Sequence, residues 1–483
     1  MTVLRRKVLG AARWSALDVG LRQGAQFLVT IVLARILTPE DFGVVAMLAL
    51  FTGMAGIFID AGFSAALIQR SSVSRTDEST VFFFNLAMGT VTALLLCAVA
   101  DWIATFFGQA VLQYLTYAMA FNIFLNAFGS IHSALLSKEM DFRTLAKVGA
   151  VSSVLSGLVA VYMAVQGYGV WSLAGQAITA SMLTVLLLWY WHPWRPDWAF
   201  STMSLRSLFR FGGYEMAATL TDVLSNNLYL ILIGKIYSVR EAGLYDRAQR
   251  TQQLPVTLMM SVINRVAFSA YASVSAEKER LARGLRQAQA LTMFLNLPLL
   301  VSVILLAEPL VLTLFGPQWT SCVPILQVLG LSGLLWPMHV LNLNVLRAQG
   351  RSDLFFQITL FKKAFAIGLT AAAAFYGVMA VAWAQVAISF FAYFVNTHYT
   401  RVLLGYGGWR QMRDLAMNFT SAIPLAGVVY LTMHVMQASP LIELVVASLA
   451  GGVAYWLTCR WICAAPLNEF MDMAGLRKSR EPV

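Results

Sequence analysis

Polar and charged side chains recur every three or four residues within segments that are otherwise apolar, so that they share one face of a helix. The first such stripe consists of Ser15, Asp18, Arg22, Gln26 and Thr30. A later stripe consists of Glu215, Thr219, Asp222, Asn226 and Tyr229. An ionised group inside a membrane helix costs about 2.5–3.5 kcal/mol on insertion scales. Such groups are therefore expected to face a hydrated cavity.

Three further segments carry stripes of the same kind. One contains Asp246, Arg250, Gln253 and Thr257, with Arg247 beside them. Another contains Asn122, Asn126, Ser130 and Ser133, and its counterpart later in the chain contains His339, Asn342 and Arg347. Five striped helices predict a large hydrated central cavity, suited to a polar or charged cargo.

The intramembrane charges balance. The acidic set is Asp18, Asp60, Glu215, Asp222 and Asp246, and the basic set is Arg22, Arg247, Arg250, Lys362 and Lys363. A strongly cationic cavity is therefore not predicted. Lys362 and Lys363 fall in the inner third of a helix, where the alternative to a cavity position is that their ammonium groups snorkel to the inside surface.

The other stripes also have structural interpretations. Asp18 and Arg22 are an i,i+4 pair in the favourable order and would neutralise each other. Arg247 would form a structural pair with Asp246. The stripe of asparagines and serines would join helices through hydrogen bonds. The sequence leaves these alternatives open.

Composition identifies an integral membrane protein. Of the 483 residues, 59% are hydrophobic and 12% are charged, and the mean hydropathy is +0.70. A soluble chain would carry about 25% charged residues. A membrane helix needs about 20 mostly apolar residues. Fourteen segments qualify: 14–34, 42–66, 80–102, 113–136, 146–166, 170–191, 211–234, 242–268, 287–307, 322–346, 354–375, 380–400, 414–436 and 443–464. We expect an all-α protein of about 14 transmembrane helices.

The basic residues predict the orientation. With the first residues in the cytoplasm and strict alternation, the inside segments hold 24 of the 34 Lys and Arg residues and the outside segments hold 3. Cytoplasmic loops are enriched in Lys and Arg. Both termini are therefore expected in the cytoplasm, and the net charge of +11 needs no nucleic acid as a partner.

Two turns with matching residues suggest an internal repeat. "ARILTPEDFG" at 34–43 and "GKIYSVREAG" at 234–243 each end one helix and start another. Thr38 begins the second helix of the first turn, and Ser238 with Glu241 forms an S-x-x-E capping box in the second. Both turns end on a glycine, and polar-striped helices precede both.

The repeat predicts two parallel six-helix halves, about 14–191 and 211–403, followed by two extra helices. We assign residues 1–200 to an N-terminal lobe, 201–405 to a C-terminal lobe, and 406–483 to the last two helices and a cytoplasmic tail. Repeated halves of this kind are typical of transporters, whose substrate path runs between them.

Several enzyme classes lack support. The chain has no G-x-x-x-x-G-K-[ST] phosphate-binding loop and no H-E-x-x-H zinc motif. Its four cysteines lie in or beside apolar runs without metal-ligand spacing. The longest predicted outside loop, 308–321, has Glu308 as its single carboxylate, whereas membrane glycan polymerases and ligases usually need a sizeable outer loop with carboxylates.

Specific stretches resemble a known family. These are "LARILTPEDFGVVAML", "FIDAGFSAALIQR", "GYGVWSLAGQ", "GLYDRAQRTQQLP", "FGPQW" and "LNVLRAQGRSDLFF". They are similar to Wzx-type polysaccharide exporters, in the branch associated with colanic acid, teichuronic acid and exopolysaccharide export. That resemblance implies the fold of the multidrug/oligosaccharidyl-lipid/polysaccharide exporter superfamily and alternating access. The implied cargo is an undecaprenyl-pyrophosphate-linked glycan, flipped outward across the bacterial inner membrane.

With that cargo, the stripes receive roles. Arg22, Arg247 and Arg250 would contact phosphate, since arginine binds it through two parallel hydrogen bonds. Amide side chains would contact sugar hydroxyls, namely Gln26, Asn122, Asn126, Asn226 and Gln253. A coupling proton or sodium ion would be carried by Asp18, Glu215 or Asp222. No catalytic residue, metal or cofactor is expected.

Two other functions remain in view. A cation-coupled multidrug antiporter of the same superfamily would have an apolar, acidic pocket, against which the arginine-bearing stripes weigh. A membrane glycan polymerase or ligase is opposed by the short outer loops. Expected partners of an exporter are membrane lipids, and the polymerase and glycosyltransferases of the same pathway.

Overall fold

A computed structural model describes residues 20, 22–60, 62–70, 73–273, 277–436, 438–462 and 466–467. For Glu215 it describes the backbone alone. Every regular element in these residues is a helix. The chain forms two compact units, Met1–Gly243 and Leu244–Val483.

The first unit contains helices α1 to α9 and the first turn of α10. They are α1 (22–36), α2 (Pro39–Asp60), α3 (Phe63–Gln69), α4 (Arg75–Phe107), α5 (Val111–Ala127), α6 (Ser130–Lys138), α7 (Phe142–Val165), α8 (Trp171–Trp191), α9 (Thr202–Ile236) and α10 (Val239–Ser273). Within this unit α4 packs on α5, α7 packs on α8, and α2 packs on both α4 and α9.

The second unit contains the rest of α10 and eight further α-helices. They are α11 (Lys278–Leu305), α12 (Ala307–Leu314), α13 (Val323–Leu334), α14 (Trp336–Ala348), α15 (Ser352–Ala373), α16 (Val378–Leu404), α17 (Gly408–Val435) and α18 (Pro440–Ile462), with a short 3₁₀ helix at Pro317–Cys322. α11 packs on α13, α14 and α17, and α16 packs on α13, α14 and α15. The last two helices, α17 and α18, pack on each other.

The all-helical membrane architecture is confirmed, but the count of fourteen spans is not. Eleven helices of the described residues are long and apolar enough to cross a membrane, or twelve if α5 and α6, bent by 41°, form one span. The two predicted spans outside this set are 14–34 and 242–268. The first lies partly outside the described residues, and the second lies within α10, whose charged residues lower its hydropathy.

The expected lobe boundary at residue 200 stays a prediction. The first compact unit ends at Gly243, within the first turn of α10, and the second begins at Leu244. This division lies later in the chain than the predicted boundary because α9 packs against α2, α3 and α4. The repeat had assigned α9 to the C-terminal lobe.

Side-chain caps start several helices. At the start of α2, Thr38 N donates to Asp41 Oδ2 at 2.9 Å, and Asp41 N donates to Thr38 Oγ1 at 3.3 Å. This reciprocal capping box satisfies two backbone donors that the helix itself cannot. Ser74 and Asp77 form the same arrangement at the start of α4. In α10, Glu241 N donates to Ser238 Oγ at 3.1 Å, so the predicted helix start is confirmed.

An aromatic cluster fixes the segment between α8 and α9. The Phe82 ring lies edge-on to Trp189 and Trp194, with centroids 6.1 and 6.0 Å away. Trp194 Nε1 donates to Glu78 Oε2 at 2.6 Å, and the Arg195 guanidinium donates to three backbone carbonyls of this segment. These contacts hold the chain against α4 and thereby set where α9 begins.

A buried amide network joins four helices of the second unit, α11, α14, α16 and α17. Gln411 Oε1 accepts from Gln289 Nε2 at 2.9 Å and from Asn342 Nδ2 at 3.1 Å. Gln411 Nε2 and Thr400 Oγ1 both donate to Asn342 Oδ1, each at 2.9 Å. All four side chains are fully buried. Asn342 and Gln411 therefore each use both the oxygen and the nitrogen of the amide inside the protein, where the hydrocarbon core offers no replacement.

Replacing Gln411 by leucine removes the centre of this network and leaves Asn342 and Gln289 buried without its oxygen. An orphaned buried polar group costs about 1–3 kcal/mol. We therefore expect Gln411→Leu to lower the thermal unfolding midpoint of the purified protein by several degrees. Gln357→Leu, at an exposed position of α15, is the matched control. Equal midpoints for the two variants would contradict a stabilising role for the network.

Candidate functional site

The polar stripe of the first helix rests on α7. Arg22 Nη2 donates to the Leu145 carbonyl oxygen at 2.7 Å, and its guanidinium lies so close to Gly149 that a Cβ there would overlap it. Val29 packs in the same way on Gly157. Two glycines, two turns apart on α7, let α1 approach closely. Arg22 is half-buried in this position, while Gln26, one turn on, is exposed.

The stripe of α9 is exposed only in part, since Tyr229 is buried and Thr219 is half-buried. Asp222 and Asn226 both present their side chains on the surface of the first unit. The side chains of two of the three predicted ion carriers are not described. Asp18 lies outside the described residues, and the side chain of Glu215 does as well.

The stripe of α5 and α6 divides between surface and contact. Asn126 is exposed, and its Nδ2 donates to the Asn122 backbone oxygen of the preceding turn at 2.9 Å. Asn122 is half-buried. Ser130 lies 2.8 Å from the side-chain amide of Asn85 on α4, so this serine joins two helices. Ser130 thus supports the helix-joining interpretation, and a cargo role for Asn122 and Asn126 stays a prediction.

The α10 stripe separates its two arginines. Arg250 Nε pairs with Asp246 Oδ2 at 2.6 Å, and 59% of the Arg250 side chain is exposed against 7% for Asp246. Gln253 and Thr257 continue the exposed face. The Arg250 guanidinium is thus accessible on this face, while Asp246 holds its orientation.

Arg247 occupies a different environment. It is 4% exposed, and its guanidinium carbon lies 5.5 Å from the Phe315 ring centroid and 5.4 Å from that of Trp319. Both distances are in the range of cation–π attraction. Asp246 and Arg250 also act on Arg247 electrostatically. The "FGPQW" stretch therefore packs around this arginine, which separates it from the exposed face of α10.

The α14 stripe does not line a cavity. His339 and Asn342 are buried, and Asn342 belongs to the amide network described above. The expected contribution of these two residues to a hydrated face is wrong, because they satisfy hydrogen bonds inside the second unit. The snorkelling alternative for Lys362 is also wrong, since Lys362 Nζ donates to Asn396 Oδ1 on α16 at 2.8 Å.

The two repeated turns touch each other. A Cβ added at Gly43 would overlap the Val239 carbonyl oxygen, and a Cβ added at Gly243 would overlap that of Pro39. Both contacts lie within the first unit. An ion pair between Glu40 and Arg240, 3.7 Å apart, spans the same two turns. Equivalent glycines thus contact equivalent backbone positions, which gives the sequence repeat a geometric reason.

Comparison with known proteins identifies the family. The family described as polysaccharide biosynthesis protein matches residues 32–324. This chain belongs to that family.

Similar proteins in bacteria carry related names. The succinoglycan biosynthesis transport protein ExoT of Rhizobium meliloti (strain 1021) is 27% identical over 99% of this chain and 98% of its own length. The teichuronic acid biosynthesis protein TuaB of Bacillus subtilis (strain 168) is 27% identical over 84% of both chains. The lipopolysaccharide biosynthesis protein WzxC of Escherichia coli (strain K12) is 26% identical over 74% of this chain and 73% of its own. The predicted family resemblance is confirmed.

Solved structures show the same fold. The lipid II flippase MurJ, in an inward closed conformation, matches with a TM-score of 0.76 at 13% identity, over 92% of this chain and 97% of its own. An inward-facing multidrug transporter of the MATE family matches with a TM-score of 0.62 at 17% identity, over 84% of this chain and all of its own. Both are helical transporters, so the predicted fold is confirmed.

Sequence reasoning missed two features of these sites. The contact between the repeated turns had a signal, since Gly43 and Gly243 occupy equivalent positions in the repeat. The bond between Lys362 and Asn396 had none, because the two residues are 34 positions apart and no local spacing relates them.

The glycine contact predicts a specific defect. Gly43→Ala places a methyl group where the Val239 carbonyl lies and should push the two turns apart. In a variant lacking native cysteines, Glu40→Cys with Arg240→Cys should cross-link through a short bifunctional maleimide. Adding Gly43→Ala should reduce that cross-linking strongly, whereas Gly56→Ala, in the same helix with nothing within 4 Å, should not. Unchanged cross-linking with Gly43→Ala would contradict the contact.

Proposed function

We propose that this protein is a flippase that moves undecaprenyl-pyrophosphate-linked oligosaccharide units across the bacterial inner membrane, and that it is a transporter, not an enzyme. The observation that carries the proposal is the exposed, oriented guanidinium of Arg250 within a helix of a polysaccharide biosynthesis family member. The relatives named for succinoglycan transport and for teichuronic acid and lipopolysaccharide biosynthesis support a glycan as the cargo. The MurJ-like fold supports a lipid-linked form of it.

The exposed polar faces suit the two ends of such a cargo. Exposed Arg250 would contact the pyrophosphate, since a guanidinium forms two parallel hydrogen bonds with phosphate oxygens. Half-buried Arg22, in the first unit, is a second candidate for a phosphate contact. The exposed amides serve the sugar hydroxyls. They are Gln26, Asn126 and Asn226 in the first unit and Gln253 in the second unit.

Arg247 and Asn122 act through their neighbours in this proposal. Arg247 is buried against Phe315 and Trp319, and so it holds the helix turn that carries Arg250. Asn122 supplies the backbone oxygen that Asn126 binds. Asp222 remains a candidate ion carrier because its carboxylate lies on an exposed helical face.

The protein is multi-pass, with eleven or twelve apolar spans in its described residues. We place both termini in the cytoplasm, supported by the split of basic residues between predicted inside and outside segments. The starts of α2 and α10 then lie at the periplasmic side, together with the glycine contact. The pathway's glycosyltransferases would supply the cargo inside, and its polymerase would use it outside.

A reporter fusion tests the orientation. A periplasm-active enzyme fused after Thr38 or Val239 should be active, because the basic residues place these turns outside. The same enzyme fused after Ser74 or Arg280 should be silent. The reverse pattern, at equal levels of fusion protein, would overturn the orientation.

Substitution of Arg250 tests the cargo contact. Losing a charge-assisted hydrogen bond costs about 1.5–3 kcal/mol, which is roughly a ten- to hundredfold loss. We expect Arg250→Ala to reduce surface polysaccharide by that order, and Arg250→Lys to impair it markedly because the planar fork is lost.

Arg280→Ala is the matched control, since Arg280 also pairs with a nearby carboxylate, Glu277, at 3.0 Å but lies outside the proposed contact face. It should leave surface polysaccharide unchanged. Protein level in the membrane is measured for every variant. Wild-type polysaccharide in Arg250→Ala would refute the phosphate contact.

A further inference from the structure

Lys362 stands in the middle of a membrane helix. It is the eleventh residue of α15, which runs from Ser352 to Ala373. At about 1.5 Å per residue, its Cα lies about 15 Å along the axis from the first residue. A lysine side chain is much shorter than that distance, so the amine cannot reach the inside surface. It stays half-buried within the second unit.

The partner of this amine is a neutral amide whose orientation is fixed. Lys362 Nζ donates to Asn396 Oδ1 at 2.8 Å. Asn396 is fully buried, and its Nδ2 donates to the His339 backbone oxygen at 3.1 Å. The amide nitrogen is thereby committed to a carbonyl, which leaves the oxygen to accept from lysine. Such an acceptor can accept a hydrogen bond from a protonated ammonium, more strongly, or from a neutral amine, because both carry N–H donors.

In the part of the chain that the structure describes, the helices packed around Lys362 offer no unpaired carboxylate to hold its charge. α15 packs against α14 and α16. Neither Trp336–Ala348 nor Val378–Leu404 contains an Asp or Glu, and the single carboxylate of α15, Asp353, pairs with Arg351 at 2.8 Å at the helix start. Among the described residues, Lys362 therefore has no ion pair.

The charged neighbours are cationic or titratable. Lys363 on the same helix acts electrostatically on Lys362, which in turn acts on His339 of α14. The remaining charged or titratable side chains of α14 and α16 are Arg347, Tyr393, His398, Tyr399 and Arg401. Three of these have other contacts: Arg347 covers the Phe355 ring, Tyr393 donates to the Gly408 carbonyl, and His398 lies edge-on to Tyr399. The charged neighbours named here thus supply no opposite charge that would hold the ammonium of Lys362.

We propose that Lys362 binds and releases the proton that couples export to the transmembrane gradient. The inference rests on the proposed flippase function, and it names the coupling ion and the residue that binds that ion. Lysine suits this role because a buried ammonium gains or loses its proton readily, whereas a guanidinium does not. In the protonated state the ammonium donates to Asn396, and after release the amine keeps that hydrogen bond, so the group can cycle without unfolding the helix pair.

The test uses the full-length protein reconstituted in liposomes. The probe is undecaprenyl pyrophosphate bearing an oligosaccharide with a fluorescent label, and flipping is followed by quenching with a membrane-impermeant reagent. Each variant is measured without a gradient and with an imposed pH difference. We expect the pH difference to accelerate flipping by the wild-type protein severalfold.

Lys362→Arg keeps the charge but cannot release it, and Lys362→Met cannot bind a proton. Both should flip the probe without a gradient and lose the acceleration. Asn396→Asp supplies the missing carboxylate, holds the ammonium charged, and should lose the acceleration as well. Lys363→Arg is the matched control and should respond like the wild type.

Acceleration of Lys362→Arg or Asn396→Asp equal to that of the wild type would overturn the inference. Flipping by the wild type that ignores the pH difference would also overturn it, while leaving the flippase function standing. Absence of any flipping by the correctly folded wild type would contradict the flippase function itself, and the proton carrier with it. A size-exclusion profile of each variant establishes folding.

Discussion

A polar group on a membrane helix must be satisfied within the protein or face water, because the hydrocarbon core offers it no hydrogen bonds. This constraint sorts the polar stripes of the chain into two kinds. On α14, Asn342 and His339 turn inward, and Asn342 joins the network centred on Gln411. On α10, Arg250 and Gln253 face outward. The first kind holds the second unit together, and the second kind is the one that the proposed cargo would reach.

The same constraint explains how charges are tolerated. Arg250 keeps its charge on an exposed face beside Asp246, and Arg247 is covered by two aromatic rings. Arg22 lies over Gly149 and binds a backbone carbonyl. Lys362 has a neutral amide instead. The surroundings of the three arginines are thus compatible with a permanent charge. The amide beside Lys362, in contrast, can accept a hydrogen bond from either protonation state of the lysine. Arginine and lysine are not interchangeable here.

Much of the fold could be predicted from the sequence because its signals are local. Apolar runs of sufficient length marked nearly all the spans, and Thr38 and Ser238 marked the starts of α2 and α10 through their position before the first turn. The family resemblance followed from the stretches around these turns. The number of spans could not be predicted in this way, because the charged and polar residues of α10 leave it less apolar than the helices that qualify as spans.

Burial of the stripes could not be predicted, because it depends on residues far away in sequence. Asn342 and Gln253 both follow helical spacing in apolar segments, yet Asn342 is buried by Gln411, 69 residues later. Likewise, nothing near Lys362 in sequence indicates Asn396. The packing of α9 on α2 and α4 could not be predicted from the repeat either. A sequence repeat relates two helices to each other, but it does not say which helices each one packs against.

The central claim is that the protein carries lipid-linked glycans from the inner to the outer leaflet. The most direct measurement depletes the protein in its native cells and asks which leaflet holds the undecaprenyl-linked oligosaccharide. Intact spheroplasts are treated with a membrane-impermeant sugar oxidant, and the oxidised fraction is compared with that in lysed cells. The account predicts that the oligosaccharide accumulates on depletion and stays protected until lysis. Accumulated oligosaccharide that is oxidised equally in intact spheroplasts would contradict it.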